Sequence, residues 1–365
     1  MTWLRGPAFD LGLLGFAWLP FYLWAAFGLG LGLGDVGGTA LPHAEFREAL
    51  LLAIVVALGI TYVHRHYTMV VVYGDPTTFA TRARAFLIAP LVVFGVVVLA
   101  RATAGVELAT IAGNRISPWL LILTLSGLWN VWHTVQQRYG ILRIYGGKAG
   151  GGLESRAHAR RDRSLVWSWV AATGALVLLF RTETLALNKR TARGLASAGH
   201  LLEHPAVVAF LVAVLAAALV IFVWWLRGER AATLSWRERG PRLAFLASTA
   251  LLFGVFVLHG PVMGYLVFGT AHALEYVAFV HYFGARKFAG RDDRSPAALL
   301  LRHPWRYAPL LAGGLLAAYL LLRRWGNTDV YLAYYFGTSL LHFLYDGWIW
   351  KVRKPEVARP LGVGA

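Results

Sequence analysis

The feature that most constrains the fold of this chain is the recurrence of long apolar runs from one end to the other. Runs of about 18 or more residues approach the roughly 20 that a helix needs to cross the hydrocarbon core of a bilayer. An open strand would leave backbone groups unpaired in lipid, so each run is expected to be helical. The first run is too long, and is followed by too many others, to be a cleaved signal peptide. We therefore predict an all-α, polytopic integral membrane protein in which residues 1–365 form a single transmembrane domain.

The apolar runs divide into about ten transmembrane helices, because each is near the length of a span and no hydrophilic stretch is long enough to fold as a soluble domain. The predicted spans are residues 9–31, 49–73, 85–104, 117–140, 164–181, 205–227, 242–259, 262–285, 306–323 and 329–350.

The net charge of +17 is explained by the position of the basic residues in short loops between spans. With this layout, 25 of the 35 Lys and Arg residues fall on the side of both termini. Because basic loops are retained in the cytoplasm, we predict an inner (cytoplasmic) membrane protein with both termini in the cytoplasm. Nucleic acid is not expected as a partner, since that would need a contiguous basic face.

The chain has no cysteine and only three methionines. This composition excludes disulfides, thiolate-bound haem, cysteine-bound iron–sulfur clusters and a methionine-rich copper pathway. Histidine and carboxylate side chains are the strong metal ligands that remain.

Four of the predicted spans carry histidines close to their cytoplasmic ends. His66, His133 and His342 lie seven or eight residues above those ends, which is roughly 10–12 Å into the membrane. His64 and His272 are deeper, and His281, on the same span as His272, is nearer the cytoplasm. Ionisable groups within a span are costly and are functional candidates by default. Their comparable depth predicts one shared site, most simply a metal centre.

Helical spacing adds polar residues to these histidines. Tyr335, His342 and Asp346 share one face of the last span, so Asp346 either binds the metal or orients His342. Gln137 lies four residues after His133 and is placed to fix its tautomer. Arg138 is placed to pair with a carboxylate or to reach lipid phosphate. We take Tyr335, Gln137 and Arg138 as candidate catalytic residues.

The second and eighth spans leave more than one arrangement open. His64 and His66 point about 200° apart on a regular helix. His66 is slightly favoured because it shares a face with Tyr62, Met69 and Tyr73. Arg65 lies between them, and its charge would be neutralised by Glu275 or Asp346. His272 and Glu275 adjoin on one face, a spacing used by metal ligands in di-iron bundles. The predicted metal ligands are His64, His66, His133, His272, Glu275, His281, His342 and Asp346.

A nitrogen–oxygen ligand set without sulfur suits non-haem iron, in one or two ions, with zinc, manganese or copper as alternatives. The chain resembles, in kind, the histidine-rich membrane di-iron oxygenases of the desaturase and hydroxylase group. Its candidate ligands are scattered singly over several helices, which is more similar to the bacterial carotenoid-cleaving membrane dioxygenases. These resemblances imply O₂ activation on a lipophilic substrate, with membrane lipid around the protein and an electron-donor protein as a further partner.

Three other functions remain open from the sequence. Opposed histidines are compatible with axial ligation of b-type haem in an electron-transfer protein. The same residues could form a proton or metal-ion pathway in a transporter, although no inverted repeat is evident. A zinc hydrolase with Glu275 as base is the third alternative, although this chain lacks the His-Glu-x-x-His signature.

Overall fold

The computed structural model describes residues 2–32, 43–111, 114–185 and 189–363, and the chain is 82% helical. The all-α class predicted from the sequence is therefore confirmed. A short antiparallel hairpin of β1 (Ala109–Ile111) and β2 (Asn114–Ile116) lies in the loop between two long helices. In chain order the α-helices are α1 (Pro7–Phe9), α2 (Leu19–Leu23), α3 (His43–Tyr73), α4 (Pro76–Ala80), α5 (Ala83–Ala102), α6 (Pro118–Ala149), α7 (Arg156–Phe180), α8 (Lys189–Leu202), α9 (Pro205–Ala231), α10 (Trp236–Lys287), α11 (Pro296–Arg302), α12 (Pro304–Trp325), α13 (Thr328–Ile349) and α14 (Pro355–Leu361). Asp10–Gly15 and Trp24–Gly28 are π-helical, and Thr182–Leu185 is a 3₁₀ turn.

Six of the described helices are long and apolar enough to cross a membrane, namely α3, α5, α7, α9, α10 and α12. The bent pair Pro7–Gly15 and Leu19–Gly28 would make a seventh. The predicted count of ten is thus not established. Two further predicted spans coincide with α6 and α13, whose histidine, tyrosine and amide side chains lower their mean hydropathy.

Two of the predicted spans, 242–259 and 262–285, form the single helix α10 with a break at its middle. Gly260 has a φ of 77°, and a β-carbon there would come within 2.7 Å of Cβ of Thr184. Pro261 follows and removes one backbone donor. Both residues explain why the helix bends at this point.

Helix starts follow local sequence signals. Ser117, Ser155, Ser235 and Ser295 each accept a hydrogen bond from the backbone amide three residues further on. Such caps satisfy amides that have no partner within the helix. Serine therefore sets where α6, α7, α10 and α11 begin.

The second half of α10 lies at the centre of the bundle, where its side chains from Met263 to Gly284 are mostly buried. It packs against α3 and α6, and α13 closes the same group by packing on α3, α5 and α6. In contrast, α5, α9 and α12 expose large apolar residues such as Leu91, Val220 and Leu310. Apolar surfaces of this kind are suited to lipid contact. The central group of α3, α6, α10 and α13 carries the candidate site.

Candidate metal centre

Four buried histidines from four different helices converge in the central group. They are His64 on α3, His133 on α6, His272 on α10 and His342 on α13, and each is 1–6% exposed. The ring centroids of His342 and its neighbours are 4.6 Å apart for His64, 4.8 Å for His133 and 5.6 Å for His272. We refer to these four residues as the histidine cluster.

The Nε2 atoms of His64, His272 and His342 are spaced like ligands around one ion. The Nε2 atom of His342 lies 3.1 Å from Nε2 of His64 and 3.3 Å from Nε2 of His272. Nitrogens bound about 2.0–2.1 Å from a metal are separated by about 3.3 Å in a tetrahedral site and about 2.9 Å in an octahedral one. His64, His272 and His342 therefore form one group that could hold a metal ion, and His133, His342 and Asp346 form an overlapping one.

A hydrogen-bond network beneath the cluster fixes the orientation of His342. Its Nδ1 atom lies 2.7 Å from Oγ1 of Thr68, which donates to Oδ1 of Asp346 at 3.0 Å. Tyr276 also donates to Asp346, at 2.8 Å, and accepts from the indole of Trp350. The single hydroxyl hydrogen of Thr68 is engaged, so Thr68 accepts the Nδ1 proton of His342. The Nε2 lone pair of His342 then faces the other histidines, as in metal sites where a carboxylate orients a ligand.

His133 contributes a nitrogen with no hydrogen-bond partner. Its buried Nε2 atom lies 3.5 Å from Oδ2 of Asp346, and it makes no hydrogen bond to any described residue. Buried polar atoms are usually paired, and an unpaired one calls for an explanation such as an ion. The orphaned nitrogen fits a metal ligand.

Glu275 does not join the cluster in the way that the sequence predicts. Its carboxylate is paired with Arg138 on α6, and Arg138 also donates to Thr249 at 2.7 Å. Gln137 donates to the backbone carbonyl of His272 at 3.1 Å and does not hold the imidazole of His133. The long side chain of Arg138 extends into the bundle and forms an ion pair with Glu275. Gln137 and Arg138 thus fix the position of α10 beside the cluster.

Two predicted ligands lie outside the cluster. His66, which helical spacing favoured over His64, turns to the other side of α3, where it contacts the Tyr62 carbonyl at 2.7 Å and the Tyr334 hydroxyl at 2.9 Å. His281 contacts the Tyr67 hydroxyl at 3.1 Å. A regular helix lets only one of His64 and His66 face the site, and the packing of α3 on α13 selects His64.

A cavity of about 280 Å³ adjoins the cluster. His64, His272 and His342 line one part of it, together with Arg65 and Tyr335. Its remaining wall is largely apolar and includes Ala57, Leu58, Leu123, Leu266, Phe336 and Phe343. Tyr335 lines the cavity, and its hydroxyl lies 3.2 Å from Oγ1 of Thr61.

Sequence reasoning missed the roles of Thr68 and Tyr276 in this network. Both lie four residues after a cluster histidine, Thr68 after His64 and Tyr276 after His272. Residues four apart share a helix face, so this spacing could have identified them.

A second polar group lies elsewhere in the bundle, and it is already occupied by arginine. His158 on α7 is buried, and its Nε2 atom lies 3.1 Å from Oε1 of Glu229. Arg242 pairs with both Glu229 and Asp162, and Arg143 with Asp162 at 2.7 Å. Because a guanidinium stands between the two carboxylates, the group is an ion-pair network that joins α6, α7, α9 and α10.

Comparison of the chain with protein families, with curated proteins and with solved structures finds no match. The function therefore has to be inferred from the geometry of the site.

Proposed function

We propose that this chain is a metal-dependent membrane oxidoreductase that uses non-haem iron and O₂ on a lipophilic substrate. The observation that carries the proposal is the convergence of His64, His133, His272 and His342 from four helices beside a largely apolar cavity. Imidazole ligands without thiolate suit iron, copper or zinc. When bound, a redox-active ion such as iron supplies O₂ activation, which protein side chains alone do not provide.

The geometry favours a single ion over two. The two possible ligand groups share His342, and the second carboxylate that a di-iron site would use, Glu275, is paired with Arg138. We assign Nε2 of His64, His272 and His342 as ligands and the unpaired nitrogen of His133 as the fourth. Asp346 then acts through Thr68 on the orientation of His342 and offsets part of the positive charge.

The same geometry disfavours b-type haem. Axial haem ligation requires two histidines on opposite faces of a porphyrin. Here the Nε2 atoms of His64 and His272 lie only 3.1 and 3.3 Å from that of His342, which leaves no slot for a macrocycle between them.

The residues of the chain have defined tasks in this proposal. The apolar wall of the cavity binds the substrate and excludes water from the metal centre, as in most small-molecule sites. Tyr335 faces the same space and positions the bound molecule. The network of Thr68, Tyr276 and Asp346 holds His342 in one tautomer.

The proposal includes an inner-membrane location with both termini in the cytoplasm. It is supported by the apolar helices and by the excess of Lys and Arg on one side. Reporter fusions after residue 155 and after residue 235 should both report cytoplasm. An external signal from either fusion would contradict this orientation.

Purified protein in a non-ionic detergent tests the proposed function. We expect bound iron without the intense Soret band of haem. His133→Ala and His342→Ala should each lose metal and O₂ consumption while remaining extractable, since helix packing in lipid rests chiefly on van der Waals contacts. The control is His303→Ala, because His303 is exposed. Full metal content in both cluster variants would refute the metal centre.

A further inference from the structure

Arg65 is a buried cation that lines the cavity beside the histidine cluster. It is 2% exposed and lies one residue after His64. Nε donates to the Thr61 carbonyl at 3.0 Å, and Nη1 donates to the Tyr335 carbonyl at 2.7 Å and the Ser339 hydroxyl at 2.5 Å. The guanidinium also stands 3.9 Å from the centroid of the Tyr335 ring.

The guanidinium of Arg65 has no anionic partner among the described residues. Its hydrogen bonds use only Nε and Nη1. The Nη2 atom has no hydrogen-bond acceptor among the residues that the structure describes. The buried carboxylates of Glu275 and Asp346 are engaged elsewhere, Glu275 with Arg138 and Asp346 with Tyr276 and Thr68. The neutralisation expected from the sequence therefore does not occur. A buried charge without a counter-ion is strongly unfavourable, more so within a membrane.

We propose that the cavity binds a long-chain carboxylic acid, with its carboxylate on Arg65. This names the substrate class of the same site and so rests on the proposed function for its catalytic meaning, although the binding itself needs no metal. A carboxylate would take the free Nη2 donor in a charge-assisted hydrogen bond and supply the missing counter-charge. The apolar wall of Leu58, Leu266 and Phe336 would then receive the first part of the hydrocarbon chain.

The size and opening of the cavity fit this class of ligand. Its volume of about 280 Å³ is just below the roughly 300–1,000 Å³ of typical ligand pockets, so a long chain would extend beyond it. Tyr265 lines the cavity and is 41% exposed, which places an opening beside it on α10. Asn130 on α6 donates to the hydroxyl of Tyr265 at 2.6 Å, so this hydrogen bond forms one edge of the opening. The tail would leave the cavity beside the exposed face of Tyr265.

The position of Arg65 also limits which part of the ligand reaches the histidine cluster. Its contacts on α13 are Tyr335 and Ser339, which precede His342 by seven and three residues. At a rise of 1.5 Å per residue, these contacts are about 4.5–10.5 Å from His342 along the helix. The carbons nearest the metal centre are thus those close to the carboxyl end.

Equilibrium binding of radiolabelled palmitate in non-ionic detergent, with and without prior metal removal, tests this inference. Unlabelled hexadecanol and hexadecane serve as competitors of equal chain length, and acetate serves as the small anion. We expect palmitate to bind at least tenfold more tightly than hexadecanol in both preparations. Arg65→Gln should lose that preference while keeping its metal. The matched control is Arg101→Gln, because Arg101 is paired with Asp329 at the far end of α5.

The outcomes separate this inference from the proposed function. Equal competition by palmitate and hexadecanol in the wild-type protein would overturn the carboxylate site, whatever the metal content, and this comparison does not depend on a variant that folds. If acetate competes as strongly as palmitate, the inference that the ligand carries a long hydrocarbon chain would be overturned. Palmitate preference in a protein that binds no metal would support the inference and refute the proposed function.

Discussion

Replacing Thr68 by valine should weaken metal binding without unfolding the bundle. Valine has nearly the shape of threonine, so the change removes only a hydroxyl group that lies 2.7 Å from Nδ1 of His342 and donates to Asp346. Asp346 keeps its bond from Tyr276, but the Nδ1 proton of His342 loses its acceptor. Loss of such an orienting contact typically lowers metal affinity about 10–100-fold.

The size of this effect follows from the hydrogen bonds involved. A buried donor left without a partner costs about 1–3 kcal/mol. A loss of 10–100-fold in affinity corresponds to about 1.4–2.7 kcal/mol, within the same range. The whole penalty should thus appear in metal affinity, because bound metal requires the neutral, correctly oriented imidazole of His342.

Competition against a chelator of known affinity measures the Thr68→Val effect in detergent-solubilised protein. Thr173→Val is the matched control, since Thr173 is on α7 and donates only to the Trp169 carbonyl of its own helix. We expect unchanged affinity in the control. Wild-type affinity in Thr68→Val would refute the idea that Thr68 and Asp346 orient a metal-bound His342.

Three further predictions concern residues around the cluster and at the end of α3. His281→Phe should retain full metal content in metal analysis, because His281 lies outside the cluster; its loss would place His281 at the site. Glu275→Gln should destabilise the protein by about 3–5 kcal/mol in thermal or denaturant unfolding, since it leaves Arg138 buried without its counter-ion, and an unchanged unfolding midpoint would contradict this. Burial alone would raise the pKa of Asp75, but the Lys287 ammonium and adjacent hydroxyls outweigh it and lower that pKa. The stabilisation that the Asp75–Lys287 pair gives is therefore fully present above the ordinary aspartate pKa, and it is lost as the pH falls through the lowered pKa of Asp75. Asp75→Asn should thus reduce the melting temperature at neutral pH and leave it unchanged in acid. A pH-independent difference would show that the pair is not the cause.

The helical class and the placement of the long helices could be predicted from the sequence because apolar run length reports directly on helices suited to a bilayer. Depth along a span also follows from residue counting, which puts His133 and His342 at the same depth. Spans are harder to recognise where a helix is central and polar. The sequence predicts spans at α6 and α13, but their polar residues lower the hydropathy, and neither helix is among the six that are apolar enough to cross a membrane.

The rotation of helices and the partners of long side chains could not be predicted in the same way. His64 and His66 both lie at suitable depth, and only the packing of α3 against α13 decides which of them faces His342. Arg138 and Arg65 were equally able to reach a carboxylate by length alone. Arg138 obtains Glu275, and Arg65 has backbone carbonyls and hydroxyls instead. The rotation of a helix and the partner of a long side chain depend on neighbouring helices that are distant in sequence.

X-ray absorption spectroscopy at the iron edge of metal-loaded protein is the most direct test of the metal centre. Its fine structure reports the number and type of ligand atoms. The geometry of His64, His133, His272 and His342 predicts three or four imidazole nitrogens in the first shell and no sulfur, with about one imidazole fewer, or no bound iron, in His64→Ala. A first shell of oxygen atoms without imidazole, or a spectrum unchanged in His64→Ala, would contradict the assignment of the histidine cluster as a metal site.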